Sequence, residues 1–287
     1  MIEASPLLHF LYGVLDYLLP FAWADHNFMK NALLAVLLVC PAFGLLSTMI
    51  VNNRMVFFAD SLGHSALTGI GLGVILGLSD PLGSMVLFSA LLAIAIVLVK
   101  NLELASTDTV IGVFSTTAVA LGIVILSRGG GFNKYSRYLI GDLLSITPAE
   151  ITGLALMALL VLLFWFVLFN RLLLVSVNGS LAKSRGVSVS LVEILFNILT
   201  AVIVAFSIKW VGLLIISSLL VLPAAAARIL STNMRQYHLL SLLFATISGI
   251  SGLVISYYWA TATGASIVLC ASAAYFCTLL IRITVLR

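Results

Sequence analysis

The chain has 287 residues, 62% of them hydrophobic and 8% charged, with a net charge of +4. Soluble domains carry about 25% charged residues, so a soluble enzyme or binding module is excluded. The 14 Lys and Arg residues are scattered through short loops, which speaks against a nucleic-acid partner.

Apolar runs near 20 residues recur, the length needed to cross about 30 Å of hydrocarbon. The expected class is all-α, a polytopic membrane protein. Residues 6–22 read as an amphipathic or interfacial lead-in, because the stretch is short and holds Asp16 and Pro20. With Glu3 and no basic n-region, the start does not read as a cleavable signal peptide. Nine spans are expected, at 29–51, 55–78, 80–100, 109–127, 150–169, 191–208, 212–230, 237–258 and 264–283. The tight joints at 52–54 and 209–211 leave eight or ten open. Residues 1–28 are thus an external or interfacial segment, and 29–287 a single transmembrane domain.

Loop charge sets orientation. With the C-terminus inside, nine basic residues face the cytoplasm and five the outside. The external segment 128–149 begins with a triple glycine, and "YSRYLIGDLL" reads as a short interfacial helix. "TPAE" opens the next span, with Thr147 as N-cap, Pro148 at the first helical position and Glu150 in the first turn. A cytoplasmic loop near 176–190 contains "SLAKSRGV", a short basic helix closed by Gly186. It reads either as a partner-docking helix or as an ordinary positive-inside loop. Cys40, Cys270 and Cys277 lie in apolar runs without CxxC pairing and read as small core residues.

The stretch "FFADSLGHSALTGIGLG", residues 57–73, carries the chemistry. Asp60 and His64 are spaced i, i+4 and share a helix face. A carboxylate at mid-bilayer costs about 2.5–3.5 kcal/mol and faces a bundle interior or a water-filled path. One oxygen and one nitrogen suit zinc, manganese or ferrous iron. Two ligands do not close a shell, but a second copy on a two-fold axis would supply two more. The structural alternative makes Asp60 a bond to a neighbouring helix and His64 a satisfied core histidine. Gly69, Gly73 and Gly77 form a small-residue stripe that admits close helix packing. A Ser/His/Asp hydrolase is disfavoured, since Ser61 lies roughly 100° from Asp60 around the helix. Neither HExxH nor GxxxxGK[ST] occurs, so energy for pumping would come from another polypeptide.

Several of these stretches together resemble one family. "FFADSLGHSALTGIGLG", "YLIGDLLSITPAE", "LAKSRGVSVSLVE", "VGLLIISSLLVLPAAAARIL" and "TGASIVLCASAAYF" occur in the family's order, over roughly residues 29–283. They resemble the membrane permease subunit of bacterial ATP-binding-cassette importers for zinc, manganese or iron. The resemblance implies a permease fold of the vitamin B12 and siderophore kind in the bacterial cytoplasmic membrane. It implies a homodimer, two ATPase subunits that use ATP, and an extracytoplasmic metal-binding protein. Asp60 and His64 then match the metal pair. Leu181, Ala182, Lys183, Ser184, Arg185 and Gly186 match the helix that docks into the ATPase. Pro223 stands mid-span, where it bends a helix and frees a carbonyl. The metal is cargo, with Zn²⁺ first and Mn²⁺ or Fe²⁺ next, and no cofactor is expected. Gly63 stands where the family usually has Ser, and Thr68 where it usually has Pro. The turn "YYWATATGAS" lacks the acidic residue and Pro usually found before its Gly. Two other classes fit the same residues. One is a self-sufficient secondary transporter using Asp60 and His64 as a proton relay, and the other a membrane scaffold or intramembrane enzyme.

Overall fold

Backbone groups in hydrocarbon must be bonded within the chain, which favours helices for apolar runs of this length. The computed structural model describes residues 12–17, 21–78, 80–102, 104–128, 141 and 143–285, and these contain helices and no strand. In order they are α1 (Asn27–Asn52), α2 (Val56–Ile75), α3 (Leu82–Lys100), α4 (Thr107–Arg128), α5 (Pro148–Val177) and α6 (Gly179–Ser184). Then come α7 (Val189–Val211), α8 (Leu213–Leu219), α9 (Leu222–Leu230), α10 (Met234–Trp259) and α11 (Thr263–Val285).

Among the described residues, seven helices are long and apolar enough to cross a membrane, against nine spans expected. The difference lies in two places. The first is α2, which is long enough at 20 residues but diluted by glycines, serines, Asp60 and His64. It buries 13 of those residues against the rest of the protein, so it needs little apolar surface. The second is 212–230, which is two short helices. Leu220 and Val221 separate α8 from α9, and Pro223 is the second residue of α9. The bend expected at Pro223 is therefore a break just ahead of it. A proline in the first turn gives up an N–H that has no intrahelical partner anyway.

The helix ends follow their local chemistry. Thr147 and Glu150 form a reciprocal capping box at the start of α5, with Pro148 in the first turn. Both tight joints are turns between helices. At 52–54 the chain closes with Met55 N–H to the Ile50 carbonyl (2.9 Å) and Arg54 in the left-handed region, φ 56°. The other joint stays helical to Val211 and turns at Gly212. Gly77 also closes a helix, at φ 70° with Leu78 N–H on the Gly73 carbonyl (2.9 Å). Its expected part in a packing stripe is not seen, since a side chain there would meet nothing within 4 Å. The interfacial helix expected in 135–144 falls largely outside the described residues, and Leu143–Ser145 is a 3-10 turn.

Two packing groups result. α2 lies against α3, α4, α7 and α8, while α1 lies against α5, α9 and α10, with α11 on α9 and α10. Close approach comes from missing side chains. A Cβ on Gly69 would stand 2.5 Å from the Met85 Cα, and one on Gly252 2.4 Å from the Ile267 Cα. Between α1 and α10, the Ser241 hydroxyl donates to the Gly44 carbonyl (2.7 Å) and meets the Ser47 hydroxyl (3.0 Å). The lead-in is tied down by Lys30 to Asp16 (2.5 Å) and by the Tyr12 hydroxyl, which donates to Asn31. Cys40 is buried in α1, whereas Cys277 is exposed on α11 and is not the core residue its apolar setting suggested.

Gly69→Ala should destabilise the protein by about 1–3 kcal/mol, because the obstacle is backbone. A lower melting temperature in detergent would register it. Gly83→Ala, with open space around its Cβ, should leave the melting temperature unchanged or raise it.

Candidate metal-handling site

α2 presents its polar residues as a graded series. His64 Nε2 lies 3.4 Å from Asp60 Oδ2, so the expected i, i+4 pair is formed. The Asp60 side chain is 52% exposed and that of His64 33%. Ser61 is fully buried. The imidazole is thus directed outward at Nε2, while its Nδ1 is buried without a hydrogen-bond partner.

Asp60 opens into a cleft of about 440 Å³. On its own helix the cleft is walled by Val56 and Phe57. Opposite stand Ser217 and Ser218 from the last turn of α8, Val221 and Leu222 at the break, and Val268 and Ser272 from α11. The break therefore faces the carboxylate. Pro223 has no N–H for the carbonyl of Leu219, the position four residues back. Sequence reading missed the two serines. Their signal was "ISSLLVLP", a hydroxyl pair just ahead of a proline in an apolar run. Two more polar side chains escaped notice: Asn197 on α7, buried with neither amide atom bonded, and half-buried His238 on α10, packed against Trp165 and Phe169.

The chemistry of the donor set is a hard oxygen and a borderline nitrogen beside hydroxyls, which fits a divalent transition metal ion. Among the described residues, no group of three His, Cys, Asp or Glu side chains comes together in one chain. Two donors and open space describe half of a coordination shell.

Both departures around the pair are packing contacts. Gly63 faces α8, and a Cβ there would stand 2.7 Å from Leu213 Cδ1. Thr68 donates its hydroxyl to the Ala118 carbonyl of α4. Gly122 of α4 sits so close that a Cβ on it would be 2.8 Å from the Thr68 backbone nitrogen. Neither residue reaches the cleft, whose lining excludes both.

The expected cytoplasmic helix is present as α6. Asn178 caps it by accepting from Leu181 N–H (3.1 Å). Leu181 to Ser184 are helical, Arg185 is the cap, and Gly186 closes the turn at φ 76°. Val187 N–H bonds the Ala182 carbonyl and Gly186 N–H that of Lys183, both at 3.0 Å, the Schellman arrangement. Ala182 is buried, while Leu181, Lys183 and Arg185 project outward.

The helical bundle opens a cleft, lined by apolar side chains and hydroxyls, beside the helix that carries the acid–imidazole pair. The profile of the ABC 3 transport family matches residues 25–282, and the chain belongs to that family. It is 33% identical over 244 residues to the high-affinity zinc uptake system membrane protein ZnuB of Buchnera aphidicola subsp. Schizaphis graminum, covering 84% of this chain and 93% of that protein. Over 245 residues it is 29% identical to the manganese import system permease protein ScaB of Streptococcus gordonii, covering 85% and 88% of the two chains. Among solved structures, PsaBC from Streptococcus pneumoniae in complex with Fab superposes with a TM-score of 0.78 at 28% identity, over 88% of this chain and 91% of that one.

Gly63→Ser should lower stability by about 1 kcal/mol through Leu213, and Leu213→Ala should remove that penalty, because contacting residues couple. A double-mutant cycle on melting temperature measures it. Equal penalties with and without Leu213 would exclude the contact.

Proposed function

We propose that this chain is the permease subunit of an ATP-driven importer that carries a divalent transition metal ion into the bacterial cytoplasm. Zn²⁺ is the first candidate, Mn²⁺ the second and Fe²⁺ the third. The observation that carries the reading is the Asp60–His64 pair, whose carboxylate opens onto a cleft opposite a broken helix. A carboxylate half exposed within a span is tolerated only beside protein or water. Membership of the ABC 3 transport family, and the names of its zinc and manganese relatives, support metal as the cargo.

In this reading the permease works as a homodimer, with nine crossings in each copy. α2 and the α8–α9 pair complete the seven long apolar helices. The second copy brings its own Asp60 and His64 to the shared axis, giving four donors. Asp60 offers the anionic oxygen that attracts and partly neutralises the ion. His64 offers Nε2, which selects a transition metal over Ca²⁺ or Mg²⁺. The break between α8 and α9 supplies a hinge at the cleft wall, where a short helix can move without unwinding a whole span. Two ATPase subunits drive the change, each docked on α6 through Leu181, Ala182, Lys183, Ser184, Arg185 and Gly186. A binding protein delivers the ion from outside. The ATPases shift the equilibrium only through contacts that differ between the outward and inward states.

Transport in proteoliposomes containing the permease and its ATPase, comparing Zn²⁺, Mn²⁺ and Fe²⁺, tests the reading. Asp60→Ala and His64→Ala should each abolish ATP-dependent uptake while the complex still assembles. Normal uptake by both would remove the pair from the mechanism. Uptake by the permease alone under a proton gradient would favour a secondary transporter. Reversing charge at α6, with Lys183→Glu and Arg185→Glu together, should sharply reduce co-purification of the ATPase. Undiminished co-purification would exclude α6 as its dock.

A further inference from the structure

Two buried polar atoms of α2 lack partners, and they are three residues apart: Ser61 Oγ and His64 Nδ1. The helix explains why they belong together. At about 100° per residue, with Asp60 at zero, His64 lies near 40° and Ser61 near 100°. The imidazole stands between a carboxylate on the open side and a hydroxyl on the closed side. Side chains three apart on a helix have Cβ atoms about 5–6 Å apart, within reach of each other.

Several buried serines of the long helices satisfy their hydroxyls on the preceding turn. Ser47, Ser65, Ser84 and Ser256 each donate to a carbonyl three residues back, at 2.7–2.8 Å. Ser61 makes no such bond, although it is fully buried. Leaving a buried hydroxyl unpaired is costly. A group kept at that cost beside another unpaired atom has an available partner.

We propose that Ser61 is the positioning residue of His64, its hydroxyl holding Nδ1 so that Nε2 is presented to the metal ion beside Asp60. This rests on the reading of Asp60 and His64 as the metal pair. A hydroxyl is suited to the place because it both donates and accepts. In the metal-free pair, Nε2–H is shared with Asp60 and Nδ1 carries the lone pair; the hydroxyl is not bonded to it in this structure, and rotation about the Ser61 Cα–Cβ bond would bring it to donate there. When Nε2 gives its lone pair to a metal ion, the proton moves to Nδ1, and the same hydroxyl accepts from it. No backbone carbonyl can serve both tautomers, since a carbonyl only accepts. Outer partners of this kind hold metal-binding imidazoles in tautomer and orientation, and their loss typically costs 10–100-fold in metal affinity.

The test compares Ser61→Thr, which keeps the hydroxyl, with Ser61→Val, its near-isostere without one. The purified permease–ATPase complex in nanodiscs is titrated with Zn²⁺ against a competing fluorescent chelator. Melting temperature and elution volume verify assembly, and Ser61→Ala replaces Ser61→Val if the latter does not assemble. The expected result is wild-type affinity for Ser61→Thr and a 10–100-fold loss for the variant lacking a hydroxyl. Wild-type affinity in the variant lacking a hydroxyl overturns the proposal, as does equal loss in both variants. His64→Ala separates the two layers. If it binds Zn²⁺ like wild type, the metal-pair reading itself falls. If it loses binding while the variant lacking a hydroxyl keeps it, only the role of Ser61 falls.

Discussion

A carboxylate inside a membrane survives only where protein or water takes the place of lipid, and the architecture around α2 supplies that replacement. Asp60 is housed in a helix wrapped by α3, α4, α7 and α8. The wrapping is close because α2 and its neighbours lack side chains at the contacts. Gly69 meets backbone of α3, Gly63 meets Leu213, and Gly122 of α4 meets backbone of α2. Hydroxyls then bond across the contacts, Ser65 to Ser89 at 2.9 Å and Thr68 to Ala118. Packing and hydrogen bonds take over the role that hydrophobic burial plays in a soluble core, since lipid offers no hydrophobic drive between helices.

At the cleft this enclosure is relaxed. Its far wall is the interrupted segment α8–α9, where continuity of the helix gives way at Leu220 and Val221. Irregular backbone at membrane depth is tolerated where it lines a cavity, and here it lines the cavity that Asp60 enters. The acid and the broken helix thus justify each other. Each would be costly against lipid, and each faces the other across a cleft instead.

Much of the local structure was legible from the chain alone. Thr147, Pro148 and Glu150 announced a capped helix start, and Gly186 the end of α6, because caps and closing turns depend on residues within one helical turn. The i, i+4 spacing placed Asp60 beside His64 for the same reason. The stripe at Gly69, Gly73 and Gly77 was legible only in part. Gly69 and Gly73 do sit in close contacts, whereas Gly77 is spent on ending the helix. Spacing does not reveal where a helix stops. Pro223 signalled an interruption but not its form, since a proline serves equally in a kink or in the first turn of a new helix.

The sequence by itself determined an all-helical membrane class, because apolar length and backbone bonding leave few alternatives, and a polar pair on one face, because helix periodicity is local. Tertiary structure alone decided which side of that face is open. Asp60 opens into a cleft walled by α8, α9 and α11, which come more than 150 residues later in the chain, while its neighbour Ser61 is sealed. That choice depends on packing between distant segments, which no spacing within residues 57–73 encodes. It is also what leaves His64 with Nε2 beside the Asp60 carboxylate and an unpaired nitrogen on the buried side.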